Sequence, residues 1–221
     1  MFHRFAGLWL LPASSAPRPI PGPGPEARQV LVDLLAIVDP DRAGRWADAI
    51  LERHGSLNAA LAAGEASLLP VVEYQTQAVA LLVAHRRAAL FALREQVAAG
   101  PIVATRHELI DYCRQRMAHD RDEQLRVFFL NGRRELLAEE VIARGGPEGV
   151  MVRPRQILAR ALEVGASGLT LVHNHPSGDP APSDLDRRFT RKLAVAAEAL
   201  GIRLHDHLIV ARDGQYCIAI D

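Results

Sequence analysis

GLTLVHNHPSGDPAPSDLD, residues 168–186, opens as an apolar run, crosses a loop of prolines, glycine and aspartate, and closes on Ser-x-x-Asp, a helix-start signal. Strand, turn-rich loop and helix in that order read as part of an α/β unit. His173 and His175 end the run one residue apart, so an extended chain projects both imidazoles from one face. Zinc takes His nitrogens and in catalytic sites usually keeps three protein ligands with a fourth position open to water. Asp186 can supply the third ligand if the loop folds the helix back over the strand end. Taken alone, Ser183 to Asp186 also reads as a plain capping box, and lone histidines are more often structural than ligating. Both readings stand at this point.

Outward from this stretch the same alternation continues. RPRQILARALEVGAS (153–167) predicts a helix closed near Gly165, and Ser183 to Leu200 a helix stopped by Gly201. IRLHDHLIVARDGQYCIAI (202–220) holds two β-rich runs joined around Asp213-Gly214. Upstream, ATRHELIDYCRQRMA (104–118) predicts a helix capped by Thr105 with Glu108 as its capping-box partner. QLRVFFLN and RRELLAEEVIARGG flank Asn131-Gly132, the signature of a two-residue type I′ hairpin turn. The order helix, hairpin, helix, strand, helix, hairpin predicts an α/β (α+β) domain over 101–221, a mixed β-sheet flanked by helices. Phe128, Phe129 and Met151 read as core.

Residues 27–100 are Ala/Leu-rich with helical spacing, as in AGRWADAILERHG and QAVALLVAHRRAALFALREQV, and predict a small all-α domain. Residues 1–26 form a Pro-rich tail, with six prolines and two glycines between Pro12 and Pro25. Trp9 and Trp46 carry no cofactor signature. Lys plus Arg and Asp plus Glu balance at 26 each, which argues against a surface built as a whole to grip nucleic acid. Cys113 and Cys217 lie far apart without metal spacing and read as buried free thiols in a reducing compartment. No apolar stretch is long enough to cross a bilayer. The start, MFHRFAGLWLLPASSAPRP, loosely imitates a secretory signal, but Pro12 interrupts its short apolar core, and a cytoplasmic location is expected.

HNHPSGDPAPSDLD resembles the zinc-binding motif of the JAMM (MPN-domain) metalloproteases, His-x-His-Pro followed by Ser-x-x-Asp at matching spacing. The wording HNHPSG, then PS, then Asp resembles the RadC-like bacterial branch, and RPRQILARALEVGASGLTLVHNHPSG and LHDHLIVARDG extend the likeness over roughly residues 101–221. The resemblance implies an MPN/cytidine-deaminase-like sandwich and a catalytic zinc, Zn(2+), held by His173, His175 and Asp186. It implies hydrolysis of a peptide or isopeptide bond in a peptide or protein substrate. Ser183 matches the family serine that supports the oxyanion, and Glu123 falls where the family places a glutamate base; Glu139 and Glu140 are the alternatives. Asp206-His207 matches a family Asp-His. His207 is therefore expected to be structural or to orient a ligand ring, and the His205–His207 pair, although at same-face spacing, is not read as a second metal site.

RadC-like proteins often carry a helix-hairpin-helix-like domain ahead of the metal domain, and residues 49–90 follow that layout. Where a Gly-x-Gly turn would approach DNA phosphate, this chain has LLPVVEYQTQ, with Glu73 and Tyr74 placed to repel or obstruct it. Arg86, Arg87 and Arg94 then read as a solvated helix face. The alternative function is a DNA-associated repair or recombination protein whose metal domain is nuclease-like or a non-catalytic scaffold.

Overall fold

The computed structural model describes residues 24–102, 106–145 and 152–220. The predicted Thr105 cap, the core assignment of Met151, Trp9 and nearly all of the Pro-rich tail lie outside them. Helices α1 (Pro25–Ala36), α2 (Ala43–His54), α3 (Leu57–Ala62), α4 (Glu65–Leu68) and the long α5 (Thr76–Ala98) come first. Each needs a partner, because short helices are marginal in water until an apolar face is buried. Leu31, Leu35, Trp46, Ile50, Leu68 and Leu82 close that core. Gly55, at φ +77°, ends α2 after Arg53 and His54 in its last turn.

Helix α5 serves two cores. Val79 and Leu82 belong to the helical cluster, whereas Leu90 and Val97, farther along, pack with α6 (Arg106–Met117) beneath the sheet. Arg86 and Arg94 are accordingly not a free solvated face. Arg86 donates to the Arg116 carbonyl at 3.2 Å, and Arg94 pairs with Glu139 at 3.2 Å.

Strands β1 (Glu123–Leu130), β2 (Leu136–Gly145), β3 (Gly168–Asn174), β4 (Arg203–Ala211) and β5 (Gly214–Ile218) form one sheet in the order β2-β1-β3-β4-β5. The β3–β4 pair is parallel, and the other three pairs are antiparallel. A parallel neighbour requires a crossover, supplied by α8 (Asp184–Glu198). Helix α7 (Pro154–Glu163) lies with α8 on one face, and α5 and α6 cover the other. This is the expected mixed sheet flanked by helices. Strand alternation sorts the side chains: Leu125, Val127 and Phe129 enter the α7/α8 core, and Phe128 and Leu130 the α5/α6 core. Strand β3, buried along its whole length, reads as a continuous apolar run because both its faces are covered.

Two local expectations are corrected, and the same-face spacing of His205 and His207 does not bring them together. The β1–β2 connection spans residues 131–135 rather than a two-residue turn, and its positive φ falls on Arg134 (+64°), not on Asn131 or Gly132. Asn131 organises it, its Oδ1 accepting from the Arg133 and Glu135 amides, so the side chain makes the turn that the Asn-Gly pair was expected to make. Cys217 is exposed, while Cys113 is buried; both are free. His205 and His207 do not share surroundings, because the β3–β4 register shifts between Leu169 and Thr170. His205 packs over Gly168, where a Cβ would come within 2.6 Å of its ring, and His207 turns toward α8.

Candidate metal centre

The site forms where β3 ends beneath the first turns of α8. Leu169, Leu171 and His173 alternate onto the α8 face of β3, so the same periodicity that builds the core carries His173 to its edge. His175 follows the strand, its amide donating to the Val210 carbonyl of β4 at 3.1 Å. The loop then turns at Gly178 (φ +99°), where a Cβ would meet the Arg212 guanidinium and the Asp213 carboxylate at 3.0 Å. The loop delivers Ser183 as the N-cap of α8, and Asp186 is one turn in. His173, His175 and Asp186 come together with one ligating atom from each lying within 4.8 Å of the others. The His173 and His175 Nε2 atoms are 2.9 Å apart, and Asp186 Oδ1 and Oδ2 lie 3.5 and 3.8 Å from them respectively.

The hydrogen bonds around this triad fix where the ring protons sit. Thr190 Oγ1 lies 2.6 Å from the Asp186 carbonyl, which can only accept, so the Thr190 hydroxyl proton goes there. His207 Nδ1, 2.6 Å from Thr190 Oγ1, must then donate to it, leaving Nε2 of neutral His207 as an acceptor. His173 Nδ1, 2.8 Å from that Nε2, donates in turn. His175 Nδ1 donates to the Asp179 carbonyl at 2.9 Å. With Nδ1 of each ring engaged elsewhere, the His173 and His175 Nε2 atoms face each other and a carboxylate. Two ring nitrogens facing each other at 2.9 Å beside a carboxylate are placed where they could hold a cation. The donor set of two imidazoles and one carboxylate fits zinc.

Burial keeps the His173 and His207 rings neutral. It lowers the His173 imidazole to about 4, with Asp186 opposing and His175 adding to the shift. Burial likewise holds His207 well below the usual histidine range, with His173 and His175 adding. Glu123, the first residue of β1, is antiparallel to the end of β3. Burial raises its carboxyl, with His175 opposing and Asp186 adding, so its electrostatic neighbours are two members of the triad. Ser183 is occupied by the capping box: its hydroxyl donates to Asp186 Oδ2 at 2.6 Å and accepts from the Asp186 amide at 3.2 Å. The cap and the triad, alternatives on sequence grounds, share one aspartate.

Glu139 and Glu140 are engaged elsewhere. Glu139 pairs with Arg126 at 2.6 Å and accepts from Tyr112 at 2.9 Å on the α5/α6 side, and Glu140 pairs with Arg160 of α7 at 2.7 Å. Sequence reasoning did not single out Thr190 or Asn174. Thr190 had a readable signal, since it follows Asp186 by four residues and shares its helix face. Asn174, set between the two histidines, is fully buried and turns the other way: Oδ1 accepts from the Gln124 amide at 2.9 Å and Nδ2 donates to the Asp122 carbonyl at 3.1 Å.

The family of the RadC-like JAB domain matches residues 103–220, the whole sheet and its flanking helices from α6 onward. The chain belongs to the RadC-like JAB family. A UPF0758 protein of Rhodobacter capsulatus is 44% identical over 163 residues, spanning 74% of this chain and 76% of the relative. A UPF0758 protein of Ruegeria pomeroyi is 47% identical over 129 residues, 58% of this chain and 55% of its own length. The JAB match places the His-Asn-His end of β3 and the Ser183–Asp186 cap inside the family's domain.

Proposed function

We propose that this chain is a zinc-dependent hydrolase that cleaves a peptide or isopeptide bond, with His173, His175 and Asp186 as the metal ligands. The observation that carries the reading is the pair of inward-facing Nε2 atoms 2.9 Å apart beside the Asp186 carboxylate. Zinc bound there would acidify a water molecule and polarise the carbonyl under attack. Glu123 is assigned the base: its carboxyl, raised by burial, would take a proton from the water and hand it to the leaving amine. Ser183 is assigned the oxyanion, its hydroxyl proton swinging from Asp186 Oδ2 to the substrate oxygen. The two free cysteines agree with the reducing cytoplasm assigned to this activity, and among the described residues no helix is long and apolar enough to cross a membrane.

The DNA-associated alternative draws less support. At the turn after α4, Glu73 and Tyr74 have left-handed backbones (φ +53° and +62°), yet side chains stand where bare amides would be needed. The Glu73 carboxylate is held by Arg42 and Arg45 at 3.3 and 2.8 Å. The deciding experiment is metal analysis of the purified chain with cleavage of a peptide library. One zinc per chain, lost in His173→Ala together with cleavage, supports the reading, and a metal-free, inert wild type under zinc-replete conditions sinks it.

A further inference from the structure

Beside the metal centre, α8 from Leu185 to Ala196 and the start of α7 line a groove of about 540 Å³. Its floor includes Leu185 and Phe189, and Leu185, which directly precedes the ligand Asp186, is 61% exposed. Among the described residues its lining also carries Arg153, Arg155, Arg188 and Lys192, and no acidic residue. Among the described residues none of these four cations meets a carboxylate, whereas Arg28, Arg42, Arg94, Arg126 and Arg160 all do. In a chain with no net charge, four unpaired cations around an apolar trough are a local concentration of one sign. The groove also lies alongside the site: Arg188 and Phe189 are within one turn of Asp186 on the same helix.

From this we infer that the groove holds a substrate segment in which an apolar side chain is flanked by carboxylates. The inference rests on reading the chain as a peptidase and names the class of sequence it would take. Leu185 and Phe189 supply apolar contact for one side chain, while the cations pair with acids on either side of it. An exposed leucine against a half-buried phenylalanine loses water-accessible apolar surface when such a side chain seats. A nucleic acid is a poorer match, because the trough has an aliphatic floor and a single partly buried aromatic ring, not a row of exposed rings for stacking bases.

The test is fluorescence anisotropy on the full chain freed of metal, so that binding is read without turnover. The probes are a short labelled peptide with leucine between aspartates and glutamates, the same peptide with lysines for the acids, the same peptide with serine for the leucine, and a short single-stranded oligodeoxynucleotide. The acidic, leucine-bearing peptide should bind at least about tenfold more tightly than any other probe and weaken as salt rises. Arg188→Glu with Lys192→Glu, and separately Leu185→Ser, should each cut its affinity about tenfold. All three positions are exposed, so folding is not at stake, and circular dichroism checks it. Equal binding of all peptides, or tighter binding of the oligonucleotide, overturns the inference. A chain that holds the acidic peptide but neither retains zinc nor cleaves any library member would instead overturn the peptidase reading and leave the groove standing.

Discussion

Asn174 clasps the backbone on both sides of Glu123: its side-chain oxygen takes the Gln124 amide and its side-chain nitrogen gives to the Asp122 carbonyl. The residue between the two proposed ligand histidines thereby sets the carboxylate assigned as base, through the sheet rather than through the site. Asn174→Ala should keep one zinc per chain while turnover falls about 10- to 100-fold, because a small misplacement of a reacting group carries a cost of that size. The loss of one buried and one part-buried hydrogen bond should also lower stability by about 1–3 kcal/mol. Metal analysis beside kcat separates the effects, and loss of zinc in this variant would contradict the assignment.

The chain from Thr190 through His207 to His173 makes a sharper forecast. Thr190→Val keeps the shape but removes the group that fixes the His207 tautomer, so His173 is no longer obliged to hold its proton on Nδ1. Zinc affinity should fall about 10- to 100-fold. Thr190→Ser, which keeps the hydroxyl, should restore most of it. Nitrogen-15 NMR of the ring in metal-free protein should show the Nδ1–H form of His173 in wild type and Thr190→Ser and a mixture in Thr190→Val.

The sequence made the succession of helices and strands and the triad readable for a shared reason: both depend on strict short periods. His-x-His on a strand and Ser-x-x-Asp at a helix start are local patterns, and the loop between them is short enough to bring them together. Tertiary partners were not readable in the same way. Arg94 looks like any surface arginine until β2 brings Glu139 beneath it, and His205 looks equivalent to His207 until a register shift separates them. Arg134 takes a positive φ that no propensity assigns to arginine, because Asn131 satisfies the neighbouring amides.

The turn at Glu73 and Tyr74 allows a test of strain independent of the metal. Tyr74 has φ +62° and is 72% exposed, so it bears the cost of a left-handed backbone with little packing in return. Tyr74→Gly should raise stability by about 0.5–1 kcal/mol, read as a higher urea midpoint with an unchanged slope. A lower midpoint would mean that the ring makes contacts worth more than the strain.

Acid should destabilise the metal-free chain well before its carboxylates are neutralised as a class. The folded-state values of His173, about 4, and His207 lie below the unfolded value of about 6.5, so below that pH the unfolded chain binds more protons. Their contribution is intact above about pH 6.5 and is lost as pH falls toward the folded-state value of His173, about 4. Asp120 and Glu123, raised by burial, act in the opposite sense and flatten the curve at its acid end. Urea melts across this range should show the decline in wild type and a shallower one in His207→Gln.

Glu123→Gln isolates proton transfer from metal binding. The amide keeps the size of the carboxyl at the start of β1, and Glu123 is not one of the three residues whose ligating atoms converge. Zinc content should therefore stay at one per chain while cleavage falls by about 10²- to 10⁴-fold, the range for losing a positioned acid–base group. The acid limb of the pH–rate profile should go with it, because the ionisation that produces it is gone. Retained cleavage with an unchanged acid limb would transfer the base role to another group, and neither Glu139, held by Arg126 and Tyr112, nor Glu140, held by Arg160, is free to take it.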